Sequence, residues 1–282
     1  MQKKSLKKPD WIRRKLTNAT DYRQVKGKLQ RGNLHTICES GNCPNKGECW
    51  ALGTATFMIL GDICTRSCGF CNVKTGKPLP PNPSEPAEIA LTIREMKLMH
   101  CVITSVDRDD LPDGGAAFWN SVINEIKSIN PGITIEALVP DFQGDTDSLR
   151  EIINAKPDII SHNLETVERL TTKVRKKAIY RRSLSVLEYF SKSGIRTKSG
   201  IMVGLGENET EVFQTMDDLI LIGVRIFTIG QYLQPSTQHL PVKAYIDPDV
   251  FAAWKEIGLS KGFEYVESGP FVRSSYHAAN HL

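Results

Sequence analysis

Thr54-Ala-Thr-Phe-Met-Ile-Leu60-Gly-Asp-Ile-Cys64-Thr-Arg-Ser-Cys68-Gly-Phe-Cys71 joins a short apolar run to a cluster of three thiols. The run Thr54–Leu60 carries no charge, as a strand covered on both faces requires. Five further runs of this kind follow: Val102–Val106, Ile133–Val139, Asp158–Asn163, Ser199–Leu205 and Val224–Tyr232. Between them, apolar residues recur at helical spacing. In Ser84–His100, Ile89, Ile93 and Met96 share one face, and Ser84 stands where an N-cap belongs. In Glu207–Leu221, Val212, Met216, Leu219 and Ile220 repeat the spacing. Ala116–Ser128, Thr146–Ala155, Arg182–Ser193 and Pro248–Lys261 complete the helices. Six β–α pairs imply a parallel sheet with right-handed crossovers. Eight would close a barrel, so the expected α/β fold is an open, partial (β/α)6 TIM-like barrel. Functional groups then collect on loops after the carboxyl ends of the strands, where the thiol cluster lies.

Composition narrows the class of function. Hydrophobic residues make up 40% of the chain and charged ones 24%, a globular balance. No window approaches 18 consecutive apolar residues, which argues against a transmembrane helix. The net charge of +4 is too small to argue for nucleic acid. Lys3, Lys4, Lys7, Lys8, Arg13, Arg14 and Lys15 supply much of the excess and read as a solvated basic tail. That tail has neither the apolar stretch of a secretory signal nor the Ser-rich character of a transit peptide, so a cytoplasmic location is expected. The sequons at Asn18 and Asn208 then carry no glycosylation. Seven cysteines is an odd number, and six fall between Cys38 and Cys71, which favours a metal over disulfides.

Cys64, Cys68 and Cys71 form a C-x3-C-x2-C loop. Three thiolates can hold three irons of a 4Fe–4S cluster and leave the fourth open to a small ligand. Structural zinc wants four ligands, and a ferredoxin wants a fourth cysteine. Upstream, Cys38, Cys43 and Cys49 form C-x4-C-x5-C, which alone also admits zinc with His35 as fourth ligand. Cys101, alone beside an apolar strand, reads as a buried structural thiol. His277 and His281 lack a partner carboxylate nearby in the chain and are not expected to be ligands. Gly204-Leu-Gly206 lacks the third glycine of a dinucleotide fingerprint. Gly114-Gly115 opens a helix, so its amides either meet a carboxylate or simply make a tight turn.

The C-x3-C-x2-C loop with Phe70 before the third cysteine resembles the radical S-adenosylmethionine (SAM) signature. With the upstream triad beside it, the chain resembles the lipoyl synthase family from about Lys8 onward. CTRSCGFC, VITSVDRDDLPDGGA, EALVPDF, HNLET, TKSGIMVGLGE, GQYLQPS and GPFVRSSYHA carry the resemblance without departure.

The resemblance implies a partial barrel of the radical SAM type. A segment 1–50 with the upstream cysteines and a tail 266–282 would fold over the mouth of a barrel spanning 51–265. It implies two 4Fe–4S clusters and SAM. Cys64, Cys68 and Cys71 would hold the cluster whose open iron binds SAM. Cys38, Cys43, Cys49 and one serine of Arg273-Ser274-Ser275-Tyr276 would hold an auxiliary cluster consumed as sulfur source. Ser275, next to the tyrosine, is the expected ligand, with Ser274 as runner-up. Segments 38–49 and 273–276 should then meet in space. By the same analogy, and from their place at strand ends, Asn163, Glu165 and Lys198 are candidates to touch SAM, although loop capping explains them equally. The implied reaction inserts sulfur at carbons 6 and 8 of an octanoyl chain on a lysine of a carrier domain. The implied partners are 2-oxoacid dehydrogenase acyltransferase subunits, the glycine cleavage H protein and an electron donor, with neither nucleic acid nor membrane. The alternatives are another radical SAM sulfur-inserting enzyme and a non-catalytic iron–sulfur protein.

Overall fold

The computed structural model describes residues 6–12, 23, 26, 27, 29, 34–51 and 56–281, without the side chain of residue 51. Residues 54 and 55 of the first expected strand, most of the basic N-terminal run and the Asn18 sequon lie outside them. All six expected strands are present: β2 (Thr56–Ile59), β3 (His100–Ser105), β4 (Thr134–Leu138), β5 (Ile159–Ser161), β6 (Arg196–Val203) and β7 (Ile226–Gln231). Each is followed by a helix: α3 (Glu85–Met96), α4 (Ala116–Ile129), α5 (Thr146–Asn154), α6 (Tyr180–Ser191), α7 (Glu209–Leu221) and α8 (Pro248–Lys261). Upstream stand β1 (His35–Thr36), α1 (Ile37–Ser40) and α2 (Lys46–Ala51).

Strand order in the sheet follows the chain, and every neighbouring pair is parallel except β1 with β2. The sheet ends on one strand the periodicity did not show, β8 (Tyr265–Gly269), parallel to β7. Only Val266 of β8 is fully buried, so a lone apolar residue among Tyr, Glu and Ser left no run to read. Residues 266–269, expected as the start of a separate tail, therefore belong to the sheet.

Two apolar cores hold the helices on the sheet. Phe57, Ile103 and Ile135 pack with Trp119 and Ile123 of α4, while Val203 and Phe227 pack with Met216 of α7 and Trp254 of α8. Each such side chain contributes about 1.5–3 kcal/mol on burial. Ser84 does not cap α3 as expected. Its backbone is already helical (φ −86°, ψ −13°), and its hydroxyl lies 2.9 Å from both Asn82 Oδ1 and Glu88 Oε1. Among the described residues no helix is long and apolar enough to cross a membrane.

Candidate metal centres

The chain leaves the carboxyl end of β2 and enters a closed loop. Ile63–Cys64 pairs with Lys74–Thr75, and the Gly76 amide donates to the Cys64 carbonyl at 3.0 Å, so the intervening thiols share one closed loop. Two contacts clamp its middle: the Gly69 amide donates to Val174 O (2.8 Å), and the Leu240 amide donates to Gly69 O (2.9 Å). A Cβ at position 69 would stand 2.9 Å from Leu240, so glycine lets the two segments approach. His239 Nε2 lies 3.0 Å from Cys71 O.

Arg66 fixes the loop to the sheet. Its buried guanidinium pairs with Asp107 (3.3 Å), Asp109 (2.7 Å) and Asp141 (2.7 Å), carboxylates just past the ends of β3 and β4. Burial alone would raise the Asp141 carboxyl, but Arg66 holds it down at about 2. Asp107, which burial raises, meets Arg66 at a longer distance. Asp107, Asp109 and Asp141 are thus the anchorage of the thiol loop, while Asp110 pairs with Arg108.

Burial pushes the loop thiols up: Cys64, helped by Asp107, to about 11, Cys68 to about 12 despite Arg175, and Cys71 to about 11. Thiolates in this position need a compensating positive charge, such as a coordinated metal would supply. The Arg66 and Asp107 amides point at Cys64 Sγ, each at 3.4 Å, the arrangement that stabilises a cluster-bound sulfur. Among the described residues, no three His, Cys, Asp or Glu side chains converge on a point for a single ion. A cubane asks for something different, one thiolate at each of several corners.

The polar wall facing this loop comes from β5 and β6. Glu165 bonds β6 through both backbone groups, its amide to Gly200 O and its carbonyl to the Met202 amide, each at 2.9 Å. Asn163 Nδ2 donates to Glu165 Oε1 at 3.0 Å, while the buried Asn163 Oδ1 has no hydrogen-bond partner among the described residues. A Cβ at Gly200 would stand 2.2 Å from Thr228 Oγ1 and 3.3 Å from Asn163 Oδ1, so this glycine makes room for the amide. Burial raises the Glu165 carboxyl against the opposing charges of Arg175 and Arg273. Cys68 and Cys71 in turn feel the Glu165 charge. Asn163 and Glu165 therefore line the interior beside the cysteine loop. Lys198 does not: it is fully buried deeper in the barrel, 2.9 Å from Glu136 and 3.3 Å from His281 Nδ1.

The upstream triad is built differently. Thr36 caps α1, its hydroxyl accepting from the Glu39 amide, and Cys38 is buried on that helix. Asn42 in left-handed backbone (φ 51°) turns the chain back, so that the Cys43 amide donates to Cys38 O at 3.1 Å. The Asn45 amide points at Cys43 Sγ (3.4 Å), and Cys49 lies one turn along on α2, its amide bonded to Asn45 O. Burial raises the Cys38 thiol, and the Thr56 backbone hydrogen-bonds to it. His35, the alternative zinc ligand, instead sits in the field of Asp62 beyond the other end of β2.

The C-terminal segment meets this triad. Asn45 Nδ2 donates to Phe271 O (2.8 Å), the Tyr276 hydroxyl to Glu48 (3.1 Å), and the Thr56 hydroxyl to Ser275 Oγ (2.9 Å). Thr56 touches both Cys38 and Ser275, and this bridging contact falls to Ser275, not Ser274. Further on, His281 is buried with its carbonyl accepting from Arg196 (2.6 Å), a placement its position near the tail did not suggest. Cys101 is a core thiol, as expected. The amides opening α4 at Gly115 and Ala117 are taken by Asp113, so the glycine pair there makes a turn and not an anion site.

Comparison with known proteins shows the family. Residues 58–219 match the model of the radical SAM superfamily. The chain is 58% identical over 279 residues to the lipoyl synthase of Bacteroides fragilis (strain YCH46), covering 99% of this chain and 97% of that one. It is 55% identical over 276 residues to the mitochondrial lipoyl synthase of Nematostella vectensis, covering 98% and 95%. Among solved structures it is similar in fold to Streptococcus suis SuiB bound to its precursor peptide SuiA (TM-score 0.61, 12% identity, covering 88% of this chain and 52% of that one). Methylornithine synthase has the same fold (TM-score 0.57, 12% identity, covering 90% and 83%). The chain belongs to the lipoyl synthase family, radical SAM enzymes that use 4Fe–4S clusters and S-adenosylmethionine to insert sulfur into a protein-bound octanoyl chain.

Proposed function

We propose that Cys64, Cys68 and Cys71 hold the 4Fe–4S cluster that binds SAM, and that Cys38, Cys43, Cys49 and Ser275 hold the auxiliary cluster. When bound, these groups supply a SAM-derived radical that removes hydrogen from carbons 6 and 8, and the sulfide that replaces it. The observation that carries the reading is Thr56, which contacts Cys38 by its backbone and Ser275 by its hydroxyl. The chain's own residues do the positioning. Arg66 and its three carboxylates hold the first loop against the sheet, and the Gly69 clamp fixes its height. Asn163, with an unpaired buried oxygen, and Glu165 offer acceptors to the amino group of SAM beside that loop. Asn45, Glu48 and Thr56 hold the tail so that Ser275 faces the second triad. A hydroxyl among thiolates makes a harder and more labile iron ligand, which suits a cluster that gives up sulfide.

The acyl substrates in this reading are octanoylated 2-oxoacid dehydrogenase acyltransferase subunits and glycine cleavage H protein. A separate donor supplies electrons, and the reaction runs in the cytoplasm. An anaerobic single-turnover assay tests it, using reconstituted protein, SAM, a strong reductant and an octanoyl-lysyl peptide. Wild type should form lipoyl product and 5′-deoxyadenosine, whereas a Cys38→Ala, Cys43→Ala, Cys49→Ala variant should form 5′-deoxyadenosine alone. SAM cleavage with no sulfur in the peptide, by fully loaded wild type, would overturn the substrate assignment.

A further inference from the structure

The segment between β5 and α6 reads Arg169-Leu-Thr-Thr-Lys173-Val-Arg-Lys176-Lys177-Ala-Ile179-Tyr-Arg181-Arg182, seven cations and no carboxylate. Local structure sorts these charges. Val174 and Arg175 turn inward: the Val174 carbonyl accepts from Gly69 in the thiol loop, and Arg175 donates to Asn163 O at 2.9 Å. Their neighbours Lys173, Lys176 and Lys177 are consequently forced outward and are exposed. Most other cations of the stretch have an anion: Arg169 pairs with Glu211, Arg181 with Glu168, Arg182 with Asp141, and Lys177 reaches Asp109 at 3.4 Å. Lys173 and Lys176 have no ion-pair partner among the described residues. Ile179, beside them, is 49% exposed. The result is an uncompensated cationic rim with an apolar residue at its edge, one residue from a direct contact with the cysteine loop.

We propose that Lys173, Lys176 and Lys177, with Ile179, dock an acidic face of the octanoylated carrier protein and so align its acyl-lysine with the barrel interior. This rests on the carrier-bound octanoyl substrate proposed above. Charge complementarity argues for a protein occupant: a rim of two unpaired lysines and one loosely paired lysine steers an anionic partner toward the edge of the cysteine loop, which Val174 contacts. The rim is too small, and the chain's net charge too near zero, for a nucleic-acid footprint.

The test compares two substrates on one holoenzyme: octanoylated H protein and a short neutral octanoyl-lysyl peptide. For Lys173→Glu/Lys176→Glu, KM for the protein substrate should rise about tenfold at low salt, the defect shrinking toward about 0.5 M salt as charges are screened. Turnover of the peptide should stay within about twofold of wild type. Lys173→Gln/Lys176→Gln should give a smaller rise of the same kind. Binding of fluorescently labelled H protein, read by anisotropy, reports docking without turnover. Equal losses on both substrates, or unchanged KM and binding with the protein substrate, would overturn the proposal. Salt-sensitive binding that the charge reversal removes, in a wild type that makes no lipoyl product, would sustain the docking rim and defeat the sulfur-insertion reading instead.

Discussion

The Thr56 hydroxyl and the Ser275 hydroxyl lie 2.9 Å apart across 219 residues of chain, and Thr56 also contacts Cys38. One strand residue thus joins the cysteine triad to the tail. Ser275→Ala should cut lipoyl formation by about 100-fold or more while 5′-deoxyadenosine release persists. Thr56→Val, which removes only the supporting hydroxyl, should fall in the range of about 10–100-fold typical of outer-shell losses. Ser274→Ala should stay close to wild type, and iron content of each variant identifies which cluster is affected. Loss of activity in Ser274→Ala with Ser275→Ala intact would reverse the serine assignment.

Arg66 carries three carboxylates, and removing it leaves the fully buried Asp141 only the more distant Arg182, at 3.5 Å, as a cationic partner. Arg66→Ala is expected to destabilise the fold by about 3–5 kcal/mol, measured by urea unfolding of the cluster-free protein. The partnership also has a pH signature. Asp141 titrates at about 2 in the fold against 3.8 when unfolded, so its contribution is full above about pH 4 and is lost as pH falls toward 2. The stability gap between wild type and Asp141→Asn should narrow through that window.

His281 is buried against Lys198, and burial, then that charge, lowers its imidazole to about 3 from 6.5. Between those values the unfolded chain takes up a proton that the folded one refuses, so stability falls as pH drops below 6.5. His281→Phe should flatten this part of the profile, read as the difference from wild type because the buried His162, lowered to about 4, titrates in both.

A methyl group at Gly200 would overlap Thr228 Oγ1 and press on Asn163. Gly200→Ala should cost about 1–3 kcal/mol in urea unfolding and weaken SAM binding, measured by equilibrium dialysis. Continued loss of binding in Gly200→Ala/Thr228→Ala would place the effect at Asn163. Restored binding in that double variant would show that space at Thr228 decides it.

The six strands and their helices were legible because each buries a continuous apolar run, from Phe57 to Ile229. The two cysteine triads stood out because each sets three thiols in a short span of chain. Distance along the chain hid the rest. Arg66 reaches its carboxylates across 41 to 75 residues, so nothing local in the chain marks the pairing. Lys198, at a strand position shared with interior residues, was read toward the cofactor, whereas its partner Glu136 lies on another strand. His281 seemed peripheral because nothing local marks a tail residue as a barrel filling. Position along β2 separates the triads: the upstream one meets its start at Thr56, the radical-type loop follows its end at Ile59.

The contacts of Asn45 with Phe271 and Thr56 with Ser275 also order events in time. During synthesis the upstream triad emerges early, yet its walls are incomplete until residues 271–276 have left the ribosome. The loop at Cys64 has its last clamp once Leu240 is available. Completion is therefore staggered: the triad translated first is the one walled last, after the loop at Cys64 has all its clamps.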